Sequence, residues 1–217
     1  MWTGNVKICF KTHGNGVPEY RRDFMIPTLY PPFRHWSETG SVWILSDLHF
    51  ADKDCKKIDF NWPSQEELLK RINKAVRKTD TFVCLGDVGK ADYVEHIRAG
   101  RKVLLLGNHD ARGKCKPYFD EIYAGPLFVA EQLLLSHEPV IGLPWAVNIH
   151  GHDHGNKAAY QDDCRHLNLA ANVCGYEPVN LGKLIKSGIL SGIPTIHRMT
   201  IDRRLEDSKN EKKDVIL

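Results

Sequence analysis

Val42-Trp43-Ile44-Leu45, running into Ser46-Asp47-Leu48-His49, is the stretch from which the fold reads outward: an apolar run of strand length that stops in a polar cluster. The pattern returns twice. Thr81-Phe82-Val83-Cys84-Leu85 stops in Gly86-Asp87, and Val103-Leu104-Leu105-Leu106 stops in Gly107-Asn108-His109-Asp110. Between the first two runs, Ser64 and Glu67 have capping-box spacing, and Leu68, Leu69, Ile72, Ala75 and Val76 share one helical face. Between the second and third, a shorter helix is expected, capped by Asp92 and stopped by Gly100. Repeated βαβ units imply a parallel sheet with its ligand crevice at the carboxyl ends of the strands, so the polar clusters should converge in space.

Farther along, Gln132-Leu133-Leu134-Leu135-Ser136 ends at His137, and Ala146-Val147-Asn148-Ile149 ends at His150-Gly151-His152-Asp153-His154. Residues 166–169 read as another strand and residues 181–186 as a last short helix capped by Asn180. In the other direction the pattern changes. Residues 6–11 alternate like a half-buried strand, His13-Gly14-Asn15-Gly16 reads as a turn, and Pro27, Pro31 and Pro32 among Tyr30, Phe33 and Trp36 argue for irregular structure. The expected division is an appendage over residues 1–40, a domain over 41–190, and a charged, partly disordered tail over 191–217.

The 217 residues carry 30 basic and 27 acidic side chains, a net charge of +3 that demands neither a nucleic-acid nor a membrane partner. No apolar run approaches the roughly 18 residues of a membrane span, so a soluble protein is expected. Six cysteines without a Cys-x-x-Cys pair suit reduced thiols, and the start Met1-Trp2-Thr3-Gly4 lacks the outline of a signal peptide. A cytoplasmic location is the expectation.

The strand ends gather Asp47, His49, Asp87, Asn108, His109, Asp110, His137, His150, His152 and His154. Carboxylates, an amide oxygen and imidazoles together suit Mn, Fe, Zn, Co or Ni, and there are donors for more than one ion. Each cluster alone has an ordinary reading. Gly86-Asp87 is a common turn dipeptide, and a histidine after an apolar strand is usually a satisfied, half-buried one. Arg112 and Lys114, just past His109, could meet an anionic substrate or simply lie on a solvated loop. Lys70, Arg71, Lys74, Arg77 and Lys78 read as a solvated helix face, and His13, His35, His96, His166 and His197 as histidines without a site role.

In order, Asp47-Leu48-His49, Gly86-Asp87, Gly107-Asn108-His109-Asp110, Ser136-His137 and Gly151-His152-Asp153-His154 resemble the five motifs of the calcineurin-like metallophosphoesterases. The resemblance spans residues 42–190, with residues 172–185 similar to the closing strand and helix of that family. It implies an α/β fold, a four-layer α/β/β/α sandwich of two packed mixed sheets, and a dinuclear centre of two divalent or trivalent ions, manganese first. It further implies that Asp47, His49 and His154 hold one ion, that Asn108, His137 and His152 hold the other, and that Asp87 bridges them. Asn108, His109 and Arg112 would bind substrate. His109 would protonate the leaving oxygen, oriented and charged by Asp110, while a hydroxide bridging the metals attacks phosphorus in line. His150 has no ligand role and is expected behind a ligand.

The implied activity is phosphoester hydrolysis on a small substrate, nucleotides included, with diesters slightly ahead of monoesters because no cap closes the site. Lys90 stands where many members carry Asp or Asn, which argues against the protein-phosphatase branch. A nuclease of the same family and a non-catalytic scaffold with this fold are the alternatives. A basic stripe for DNA is missing, which disfavours the first, and the intact ligand set disfavours the second.

Overall fold

In the computed structural model, which describes residues 10–12, 18–20, 36, 40–155 and 165–193, the three opening apolar runs lie side by side. After a small antiparallel pair, β1 (Phe10–Thr12) with β2 (Pro18–Tyr20), come β3 (Val42–Leu45), β4 (Thr81–Cys84), β5 (Arg101–Leu105) and β6 (Glu121–Tyr123). They pair in parallel in that order, and β11 (Val179–Asn180) closes the other edge antiparallel to β3. A second sheet has the order β10-β9-β8-β7, built from β7 (Leu127–Ala130), β8 (Leu133–Leu135), β9 (Val147–His150) and β10 (His166–Asn168). Its β8, β9 and β10 are parallel, and β7 runs against β8. The fold is therefore α/β with two mixed sheets and helices, as expected.

Alternation along the strands sorts their side chains into two cores. Val42, Ile44, Val83, Leu85, Val103 and Leu105 of the first sheet meet Leu127, Val129, Leu133, Leu135, Val147 and Ile149 of the second. Leu45, Phe82, Cys84 and Leu104 instead share a core with helical residues. Those come from α1 (Cys55–Ile58), α2 (Gln65–Ala75) and α3 (Arg112–Cys115). In α2 the Ser64 hydroxyl accepts from Glu67 N at 3.3 Å, and Leu68, Ile72 and Val76 are buried, worth about 1.5–3 kcal/mol each in area removed from water. The α4 helix (Leu181–Lys186) starts where Asn180 Oδ1 accepts from Lys183 N at 2.9 Å, and its Leu181 and Leu184 join the core shared by the sheets.

Register carries the polar clusters to one edge. Leu45 lies opposite Cys84 and Cys84 opposite Leu104, so Asp47, Asp87 and Asn108 leave the first sheet together. Leu135 lies opposite Ile149, so His137 and His152 leave the second sheet together. The connection after β10 ties the two sheets there: Leu169 N donates to His150 O at 2.6 Å, and Ser46 N donates to Leu169 O at 2.9 Å.

Several local expectations need correction. The segment after Asp87 is a 3₁₀ helix, Ala91–His96, entered at Lys90 with no side-chain cap, and Asp92 sits within its first turn, paired with Lys90 Nζ at 3.1 Å. Burial of Ala91, Val94 and Ile97 on one side decides that geometry against the capping signal. Arg71 is not merely solvated, since its guanidinium reaches Gly175 O at 3.1 Å and lies 5.9 Å from the Tyr176 ring centroid. Strands β6 and β7 had no counterpart in the sequence reading. The expected turn at residues 13–16, the proline-rich segment at 27–33 and the tail beyond residue 193 lie outside the described residues. Among the described residues, no helix is long and apolar enough to cross a membrane.

Candidate metal centre

The loops that leave the strands turn sharply, and five ligand-type residues sit at those turns. Asp47, His49, Asp87, His152 and His154 all have φ between 42° and 71°, a region unfavourable for residues with a Cβ. The surroundings hold them there. Beyond the strands the first two loops stay zipped, with Asp47 N donating to Gly86 O, His49 N to Asp87 O and Phe50 N to Val88 O, each within 3.0 Å. A Cβ at Gly107 would collide with the Asp87 carboxylate, and one at Gly151 with the Asp47 carboxylate and the Ser46 hydroxyl. Glycine is what lets backbone close on both acids.

Each acid is held by one oxygen and leaves the other free to face imidazoles. Asp47 Oδ2 accepts from His152 N at 2.9 Å, while Asp47 Oδ1 lies 3.5 Å from His154 Nε2 and 4.0 Å from His49 Nε2. Asp87 Oδ1 accepts from His109 N at 3.0 Å, while Asp87 Oδ2 lies 3.4 Å from His137 Nε2 and 3.8 Å from His49 Nε2. Two triads result, Asp47 with His49 and His154, and Asp87 with His137 and His152, each with its donor atoms within 4.8 Å of one another. Asn108 joins the second through Oδ1, 2.9 Å from His137 Nε2 and 3.1 Å from His152 Nδ1.

The donor set fits cations. Asp47 Oδ1 is buried and has no hydrogen-bond partner, although an unpaired buried carboxylate oxygen is costly. At His137, Nδ1–H donates to Leu85 O at 2.8 Å, so Nε2 meets the oxygens of Asn108 and Asp87, acceptors themselves, only by taking up a proton or a cation. A positive centre among these atoms resolves both conflicts. Burial lowers the pKa of His49 despite the nearby Asp47 and Asp87, which keeps its ring in the neutral, ligating form. At Asp87 burial pushes the carboxyl up, but hydrogen bonds from His137 and His109 N outweigh it and the net shift is downward. At His137 burial acts to lower the pKa, and the bond and charge of Asp87 raise it overall.

Behind the ligand-type atoms stand partners that the sequence reading missed. His49 Nδ1 faces Asp52 Oδ2 at 3.4 Å, and His154 Nδ1 faces Asn172 Oδ1 at 3.3 Å while Asn172 Nδ2 donates to His154 O at 2.8 Å. Such partners fix tautomer and ring orientation. Trp62 packs its ring 6.0 Å from His49 and 5.9 Å from His154, centroid to centroid. Asp52 lies three residues from His49, a spacing that a reader alert to outer partners would find; Asn172 and Trp62 give no local signal.

The remaining candidates divide. His109 is exposed at the loop tip with its ring centroid 6.0 Å from that of His49. Asp110, given to His109 by the resemblance, spends both oxygens on backbone: Oδ2 accepts from Asp87 N and Gly107 N and Oδ1 from Val88 N, all at 2.9 Å. It clips the second and third loops together. Arg112 donates to Ile122 O at 3.2 Å, and Lys114 is exposed. His150 is fully buried, with Nδ1 2.9 Å from Gly151 O and its ring beside His166. His166 thus belongs to the packing behind the centre.

The architecture agrees with comparison to known proteins. The calcineurin-like phosphoesterase family matches residues 40–214. The chain belongs to that family. Comparison with curated proteins found no match. Among solved structures, the chain is similar to the protein of unknown function AQ665 from Aquifex aeolicus, with 25% identity over 67% of this chain and 98% of that one, at a TM-score of 0.57. That likeness supports the fold and leaves the chemistry to the site.

Proposed function

We propose that the protein hydrolyses phosphoesters at a centre of two cations. The observation that carries this reading is Asp87 Oδ2, placed between His49 Nε2 at 3.8 Å and His137 Nε2 at 3.4 Å, one oxygen that faces a histidine of each triad. Asp47, His49 and His154 would hold one cation and Asn108, His137 and His152 the other, with Asp87 placed to serve both. When bound, two such ions neutralise charge on a phosphoryl group and lower the pKa of water, with Mn²⁺ favoured ahead of Fe, Zn, Co or Ni for these N and O donors.

The chain's own groups supply the rest. Asn108 and His109, exposed at the tip of the third loop, meet the phosphoryl oxygens, and the His109 ring gives a proton to the departing oxygen. Asp110 acts on His109 by bracing the backbone that carries it. Arg112 would meet an anionic part of the substrate only by leaving Ile122 O. The substrate is a small phosphoester, nucleotides included, with diesters slightly ahead of monoesters because the tip is open. The appendage, domain and tail divide at residues 40 and 190, and the buried free thiols Cys55, Cys84 and Cys115 suit a reducing, cytoplasmic setting.

The test is hydrolysis of a nitrophenyl phosphodiester against the matching monoester, after chelator stripping and Mn²⁺ add-back. Activity restored by metal supports the reading, and the diester-to-monoester ratio chooses the branch. Metal retained without activity on either ester points to a scaffold.

A further inference from the structure

Among the described residues, one further set of donors converges, and it shares His49 with the first triad. A ring nitrogen of His49, a carboxylate oxygen of Asp52 and the Sγ of Cys55 lie within 4.8 Å of one another, and His49 Nδ1 is the nitrogen that faces Asp52, at 3.4 Å. All three residues line a cavity of about 290 Å³ beside the centre, walled by Leu48, Phe50, Trp62 and Leu68. The chain makes this set locally. Left-handed backbone at Asp47, His49 and Ala51 coils the loop, and Asp52 N donates to His49 O at 3.0 Å, so that residues three apart face the same space. Cys55 Sγ is 2% exposed as a residue and has only a weak contact of 3.8 Å to His49 O.

Imidazole, carboxylate and thiolate with a fourth position open to the cavity make a set for a borderline, sulfur-seeking ion of the Zn²⁺ or Co²⁺ class, and a poor one for Mn²⁺ or Mg²⁺. A thiolate prefers an ion that bonds sulfur strongly, and Cys55 brings the sulfur to this set. That bond forms as the S–H proton passes to solvent. A second constraint follows from the ring. Neutral imidazole has one lone pair; an ion at Nδ1 moves the ring proton to Nε2, which then cannot ligate in the paired centre.

We propose that His49 Nδ1, Asp52 and Cys55 form a third cation position, selective for sulfur-seeking ions, whose occupation withdraws His49 from the paired centre and stops hydrolysis. The competition rests on the proposed role of His49 Nε2 as a ligand there, while the position itself does not. The first measurement therefore reads the position alone. Chelator-stripped full-length protein is titrated with Co²⁺ and its near-ultraviolet sulfur-to-cobalt absorption recorded. The band should appear in the wild type, persist in Cys115→Ser, and vanish in both Cys55→Ser and Cys55→Ala. No band in the wild type, or one that survives both Cys55 substitutions in folded protein, overturns the site.

The second measurement reads the competition. Mn²⁺-loaded protein hydrolysing a nitrophenyl ester is titrated with Zn²⁺, and half-inhibition should need at least about tenfold more Zn²⁺ in Cys55→Ser, the scale on which even outer partners change metal affinity. Equal inhibition in both proteins, with the cobalt band present, overturns the competition. A protein that shows the cobalt band but hydrolyses neither ester defeats the phosphoesterase reading and leaves the cation position standing.

Discussion

The two triads have the same kinds of donor and are held in different ways. Around Asp87, the fold supplies the restraint: His137 Nδ1 is bound to Leu85 O at the end of a buried strand, and Asp87 Oδ1 to His109 N. Around Asp47, side chains supply much of it: Asp52 stands behind His49 and Asn172 behind His154, with the Asp52 side chain 39% exposed. A backbone carbonyl cannot be removed by substitution and moves only with its strand. Side-chain partners can be lost one at a time. The Asp87 position should therefore keep its cation through changes that empty the Asp47 position.

The strongest way to break this comparison is Asp87→Asn, which removes the charge that faces a histidine of each triad. Both metal equivalents should be lost on dialysis, and turnover should fall by roughly a thousandfold or more. Retention of a full equivalent by Asp87→Asn would mean that the triads are independent. On its proposed role as a proton donor that ligates nothing, His109→Ala should cut turnover by about 10²–10⁴ with metal content intact. Metal analysis that found the centre emptied would instead make His109 a ligand.

Asn172→Ala sharpens the contrast most directly. One of two equivalents should bind about 10–100-fold more weakly while the other is unchanged, as read by Mn²⁺ titration. Equal weakening of both would show that restraint is shared across the pair. The smallest effect is expected far from either triad: Ser64→Ala removes the cap of α2 and should cost about 1 kcal/mol in thermal or denaturant unfolding, with both equivalents retained.

The same contrast explains what could be read in advance. Asp47, Asp87, Asn108, His137 and His152 follow apolar runs that make strands, so their convergence follows from parallel pairing in register. The caps at Ser64 and Asn180 were legible because a cap bonds three residues along the chain. Strand β6 escaped because Glu121, Ile122 and Tyr123 are all half-buried and show no alternation. Strand β7 is an edge strand with a register shift between Phe128 and Ala130, and Phe128 is exposed. The Asp110 clip was misread because its side-chain bonds to Asp87 N and Val88 N cross to a loop more than twenty residues earlier in the chain, and only the fold sets that distance.

By itself the sequence determined the strand-end polar clusters, their order and the main helix, because apolar periodicity and capping act between near neighbours. Tertiary structure decided the left-handed turns at five ligand-type residues, the orphaned Asp47 oxygen, the carbonyl and amide behind His137 and His154, and the convergence of His49, Asp52 and Cys55 on a cavity. Most of these join groups far apart in sequence or depend on how the packed chain orients a ring. Their geometry exists only once two sheets have closed on a common core.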